Sequence, residues 1–268
     1  MESKLLETLG VALPPGRVIT SDGAEALWLS DGPAGDGLWT RCLAEHAAGS
    51  GLWPLFLLDS GYPEEDGFRP WASGEVFPAR MSAPGLHDAP GLLASWWADY
   101  VDVPEDDPAL SVCERAAVTA PFGRDWPGPA PHRPFDRDPD EVAIEFAQVL
   151  ADREPTARLG LVAADRGADA PASAGWDGPV NYDSDTARYS AVLRDWERRY
   201  GIRVVALGFS TLHVSVAAPP ATKDEALRVG AEHFAFCPDT VWQGSRPYTL
   251  DAYAERIVGL NAWEFWWD

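Results

Sequence analysis

His233 and Cys237 stand four residues apart, and Asp239 follows two residues later. A thiol beside an imidazole is the pairing of an activated nucleophile. The same two side chains are also half of a metal site. The surrounding pattern predicts a helix that runs to Phe236 and is stopped by Pro238, so both residues fall at a helix C-terminus. The dipole there is negative, which disfavours a thiolate and favours an imidazolium. That makes a structural role the stronger reading, and no catalytic residue is assigned. Together with Trp242 and Gln243, the residues His233, Cys237 and Asp239 form the candidate ligand or partner site.

Other chemistry-bearing strings fail on spacing. Asp136, Asp138 and Asp140 open like a calcium loop, but Glu141 stands where glycine is needed and Ala147 where glutamate is needed. The chain has no phosphate-cradling glycine loop, and Ser210 sits in no nucleophile-elbow motif. His46, His87, His132, His213 and His233 are dispersed, and Cys42, Cys113 and Cys237 form no close pair. No metal and no cofactor is expected. Asp59 ends a short apolar run, where an acid is either catalytic or a turn former. The last stretch is dense in aromatics, including Phe234, Phe236, Trp242, Tyr253, Trp263, Phe265, Trp266 and Trp267. Such a surface can stack a base, a sugar or a peptide. Base stacking conflicts with the acidic charge, and the stronger reading is a final strand buried on both faces.

These residues need elements to hold them. Helical spacing and caps predict helices over 2–9, 38–48, 88–100, 140–151, 185–200, 222–236 and 249–258. Thr222 and Glu225 form a capping box, and Gly201 stops the helix that Asp185 opens. Short apolar or alternating runs predict strands over 26–29, 52–58, 159–163, 203–209, 212–217 and 262–267. In the fifth of these, Leu212, Val214 and Val216 point inward and His213 and Ser215 outward. Residues 61–89 read as irregular, with Phe68, Trp71, Phe77 and Met81 packing onto the surface. Six prolines between Pro121 and Pro139 admit no regular element. They divide an N-terminal α/β part (1–120) from a C-terminal domain (140–268), with 121–139 as linker or crossover.

The formal charge of −21 over 268 residues opposes nucleic acid and anionic membranes and steers a basic protein inward. It also serves solubility. An apolar fraction of 46% suffices for a large core. No run is long enough to span a bilayer, the first residues lack a signal-peptide pattern, and the cysteine usage fits a reducing compartment. The expected location is the cytoplasm, with oligomeric state left open.

The strings Ala231-Glu-His-Phe-Ala-Phe-Cys-Pro-Asp239, Val241-Trp-Gln-Gly244 and Trp263-Glu-Phe-Trp-Trp-Asp268 follow the paired strands Val204–Phe209 and Thr211–Val216. In combination they resemble the bacterial family called domain of unknown function 4253 (DUF4253), from about residue 160 to 268. The upstream part resembles an extended, actinobacterial-type version. The resemblance implies a fold neighbourhood and brings no catalytic residue. The fold expected is α/β, more loosely α+β, with a mixed or antiparallel C-terminal sheet and packed helices. The function expected is a non-enzymatic interaction protein, immunity-like in masking a basic partner. The alternative is an enzyme or small-ligand binder with a cleft near Cys237, Asp239 and Trp242.

Overall fold

Asp22 and Gly23 take left-handed backbone angles, φ 51° and 80°. An Asp-Gly pair of this kind reverses a hairpin tightly, and it joins β1 (Gly16–Ser21) to β2 (Ala24–Pro33). The computed structural model describes residues 3–60, 68–101 and 112–268. After the hairpin come α1 (Leu38–Ala47), β3 (Leu52–Leu57), α2 (Ala89–Val101), α3 (Val112–Thr119), α4 (Pro139–Arg153) and β4 (Arg158–Ala163). The chain continues through α5 (Ala170–Ala174), α6 (Thr186–Tyr200), β5 (Ile202–Leu207), β6 (Thr211–Val216), α7 (Lys223–Phe236), α8 (Asp239–Trp242), α9 (Leu250–Ile257) and β7 (Ala262–Trp266).

Among the described residues these strands make one mixed sheet in the order β1-β2-β4-β3-β5-β6-β7, and the fold is α+β. Every neighbouring pair is antiparallel except β3 and β5, which run parallel through Phe56↔Ala206 and Leu57↔Leu207. β4 lies between β2 and β3, so early and late parts of the chain are interleaved in one sheet. Their buried side chains form one contiguous core, from Trp28, Trp39 and Trp53 to Trp196, Trp263 and Trp267.

The caps act as their residue types dictate. Asp138 accepts from Asp140 N, Asp185 accepts from Ala187 N, and Thr222 and Glu225 close their box. Gly201 leaves α6 with φ 61°. The proline-rich crossover carries no regular element, yet it is fixed to the helices. Ala130 N donates to Glu232 on α7 at 2.7 Å, and Ala130 O accepts from Arg199 on α6 at 2.9 Å.

Several expectations change. β1 and α3 carry no apolar periodicity and were not expected. The first helix is a 3-10 segment, Ser3–Thr8, and Glu2 lies outside the described residues. Of the irregular stretch, 61–67 lie outside the described residues, while Phe68 and Trp71 are buried as expected. His213 and Ser215 do not face solvent: both are buried, because α4 packs across β5 and β6 and covers that face. The final strand is buried on one face, not two. Trp263, Phe265 and Trp267 enter the core, while Glu264 and Trp266 are exposed on a strand at the sheet edge. No helix among the described residues is long and apolar enough to cross a membrane.

Candidate functional site

Helix α7 places His233 and Cys237 where their sequence spacing predicts, but it turns both into the core. His233 is wholly buried, with its ring centroid 4.3 Å from that of Trp263 and 4.9 Å from that of Phe265. Its Nδ1 shares a 2.8 Å hydrogen bond with the Tyr253 hydroxyl. Burial, helped by the Arg199 charge, pulls its pKa down to about 3, so the ring is neutral and not the helix-end cation expected. Burial likewise pushes the Cys237 thiol up to about 12. Its Sγ donates to Trp266 O at 2.9 Å and accepts from Thr240 Oγ1 at 3.1 Å. These surroundings hold a thiol, not a thiolate.

Asp239 is a junction. Its carboxylate accepts from the Tyr182 hydroxyl at 2.7 Å, from Gln243 Nε2 at 3.0 Å and from Asp268 N at 3.0 Å. Trp242 is half-buried against Phe234. Asp239 and Gln243 are therefore brought together, whereas the His233 and Cys237 side chains serve separate parts of the core. Through Trp266 O and Asp268 N, Cys237 and Asp239 fix the end of β7 from behind.

On the other side of that strand end lies a cleft of about 460 Å³, within the range of small-molecule sites. It opens where β3 and β5 finish side by side and β6 begins. Crevices at the carboxyl ends of parallel strands are the usual ligand positions of sheets with helices on both faces. Two buried indoles anchor the loops around it. Trp71 Nε1 donates to Leu58 O and Trp176 Nε1 to Gly208 O, each at 2.9 Å. These two carbonyls terminate β3 and β5, so the loops that line the cleft start from fixed points.

Asp59, two residues after β3, lines the cleft, as do Ser210 and Trp266. Arg69 and Glu75 come from the irregular stretch before α2. Arg69 Nε lies 2.9 and 2.8 Å from the two Glu75 oxygens, and its guanidinium sits 4.8 Å from the Phe209 ring centroid. Ser73 Oγ also donates to Glu75, at 2.8 Å. Phe68, just before this pair, holds φ 59° with a bulky side chain, a conformation that costs about 1–3 kcal/mol and must be imposed by its surroundings. Its ring is buried with the Arg158 guanidinium 4.1 Å from the centroid.

Asp177 enters from the segment after α5. Gly175 makes this possible: at φ 70°, a Cβ there would lie 2.0 Å from Pro78 N. The backbone of 77–78 thus packs directly on the turn, and Phe77 N donates to Gly175 O at 2.7 Å. Burial raises the pKa of Asp177, and the Glu75 charge raises it further, against Arg80 and Arg69. A half-buried carboxyl with a raised pKa, lining a cleft, marks Asp177 as a candidate functional position.

Asp59 and Ser210 were visible in the sequence but carried no motif. Arg69, Glu75 and Asp177 were not singled out, since nothing local marks them. No three His, Cys, Asp or Glu side chains among the described residues converge to hold a metal ion.

Residues 158–268 match the family model of the domain of unknown function DUF4253. The match starts at the first residue of β4 and takes in the Cys237–Asp239 junction and the β7 wall of the cleft. No curated protein and no solved structure matches the chain.

Proposed function

We propose that this protein binds a small ligand in the cleft at the ends of β3 and β5. The observation that carries the reading is the cleft itself: about 460 Å³ in which polar side chains from five separate segments converge, on loops anchored by two buried tryptophans. The reading keeps the ligand-binding alternative drawn from the sequence and moves its centre. Cys237 and Asp239 support the wall from behind, while Asp59, Asp177, Ser210 and Trp266 face the ligand. The test is a thermal-shift screen of the full chain against metabolites. A compound at a hundred times its Kd should stabilise the folded state by about 2.7 kcal/mol. The same compound should do nothing to Ser210→Trp, whose indole fills the cleft. Shifts that persist in Ser210→Trp would place binding elsewhere.

A second reading rests on the charge of −21: a non-enzymatic, cytoplasmic, immunity-like protein that masks a basic partner protein, with no affinity for nucleic acid. Capture of a basic protein from a native lysate at low salt and its release at high salt would support it. Failure to retain one at low salt would count against it.

A further inference from the structure

We infer that the occupant of this cleft is a compact organic cation, with delocalised charge on a flat group, held between carboxylates and the Trp266 indole. The inference rests on the cleft being a binding site and adds the class of its ligand. Among the described residues four carboxylates line it, those of Asp59, Glu75, Asp177 and Asp268, against one cation, Arg69. Arg69 and Glu75 satisfy each other. Among the described residues, Asp59, Asp177 and Asp268 meet no arginine or lysine within ion-pair distance. Walls of low polarisability concentrate this unbalanced negative field inside the cleft, so an anionic group is excluded and a cation is drawn in.

The cleft also shows how a cation is held. The Arg69 guanidinium is gripped by a carboxylate and lies over an aromatic ring, Phe209, at 4.8 Å. A second planar cation finds the same two kinds of group still open: Asp177 for its charge, and Trp266, which is 37% exposed, for its face. The occupant is organic and not a metal ion, because among the described residues no three acidic side chains converge closely enough to chelate one. A bound cation also relieves Asp177, whose ionised form is disfavoured by burial and by Glu75.

Benzamidinium, benzamide and benzoate share one shape and differ in charge. Each is titrated into the full chain by calorimetry, alongside Asp177→Asn and Ser210→Trp. Benzamidinium should bind at least about tenfold tighter than benzamide, with benzoate undetected, and Asp177→Asn should weaken benzamidinium about tenfold. Ser210→Trp should abolish its binding while unfolding at the temperature of the parent protein. Equal or tighter binding of benzamide or benzoate, lost in Ser210→Trp, would overturn the cation and leave the cleft standing. Absence of binding by all three, or binding that survives in Ser210→Trp, would overturn both.

Discussion

Asp177 carries a cost that its fold does not need. Its pKa is raised in the folded state by burial and by Glu75, partly offset by Arg80 and Arg69. The folded protein therefore holds this proton more tightly than the unfolded chain does. The stability so gained is present at low pH and is lost as pH rises through the folded pKa. At neutral pH the ionised side chain works against folding, and Asp177→Asn should be more stable than the parent. Because the carboxyl keeps contact with solvent, the gain is held to less than about 1 kcal/mol, a rise of about 1–3 °C in Tm. The difference should vanish in acid, where both side chains are neutral. A lower Tm for Asp177→Asn at neutral pH would show that the carboxylate is a structural acceptor. His233 has the opposite sign. Its folded pKa of about 3 lies below that of a free imidazole, and the groups around it are Tyr253, Arg199 and three aromatic rings. Below about pH 6.5 the unfolded chain takes up a proton that the folded one refuses, so stability falls by about 1.4 kcal/mol per pH unit from this residue alone. Urea unfolding of His233→Gln at several pH values should show that slope reduced by one proton, whatever the variant's offset at neutral pH. An unchanged slope would assign the proton uptake to other groups, such as His46 and His213, whose pKa values are also lowered by burial.

At the scale of elements, the irregular crossover is held by a buried ion pair. Glu232, with no exposed surface, accepts from Ala130 N and from Trp196 Nε1 at 2.7 Å each, from the Tyr200 hydroxyl at 3.2 Å, and from Arg199. Arg199 in turn donates to Asp195 at 2.6 Å and to Ala130 O. Glu232→Ala leaves three donors without this acceptor and the guanidinium with Asp195 as its one remaining carboxylate among the described residues, and should lower stability by about 3 kcal/mol, read as a urea midpoint at constant m. The double variant Arg199→Met, Glu232→Leu removes the charges but not the needs of Ala130 N and Trp196 Nε1, so it should recover only part of the loss. Full recovery would show that the crossover is placed by packing alone. Elements with local signals were legible in the sequence: the box of Thr222 and Glu225, the Asp185 cap, the Gly201 stop and the alternation of β7. The Asp22-Gly23 turn was legible too, and reading it would have revealed β1. The burial of His213 and Ser215 was not, because the helix that covers them lies about sixty residues earlier in the chain. Of the cleft, Asp59, Ser210 and Trp266 were legible as residues, though without a motif that joined them. Arg69, Glu75 and Asp177 sit in segments without periodicity and meet only when the sheet is assembled.

For the whole molecule, the decisive fact is the position of β4. It pairs with β2 on one side and β3 on the other, through Trp28↔Leu161 and Leu55↔Gly160. Both partners come from the first sixty residues, whereas β4 begins the segment that matches the DUF4253 model. Cutting the chain in the proline-rich crossover would leave β4 with neither neighbour and β5 without β3. Leu159, Leu161 and Val162, all fully buried, would then lie on an open strand, the arrangement that invites aggregation. Helices α6 and α7 would also lose α2, including the contact of Trp97 with Phe234 at 5.7 Å between centroids. Residues 140–268 expressed alone should therefore show no cooperative urea transition, while the full chain unfolds in one. Co-expression with residues 1–139 should restore the transition, since the lost strands return in trans. A cooperative transition for 140–268 alone, with an m-value matching its size, would show that the later strands close without β2 and β3. The cleft would then have been built by adding the N-terminal segment to a finished domain. If instead the fragment fails, the acids at the end of β3 and those after α5 belong to one folding unit, and any ligand that bridges them stabilises the whole chain.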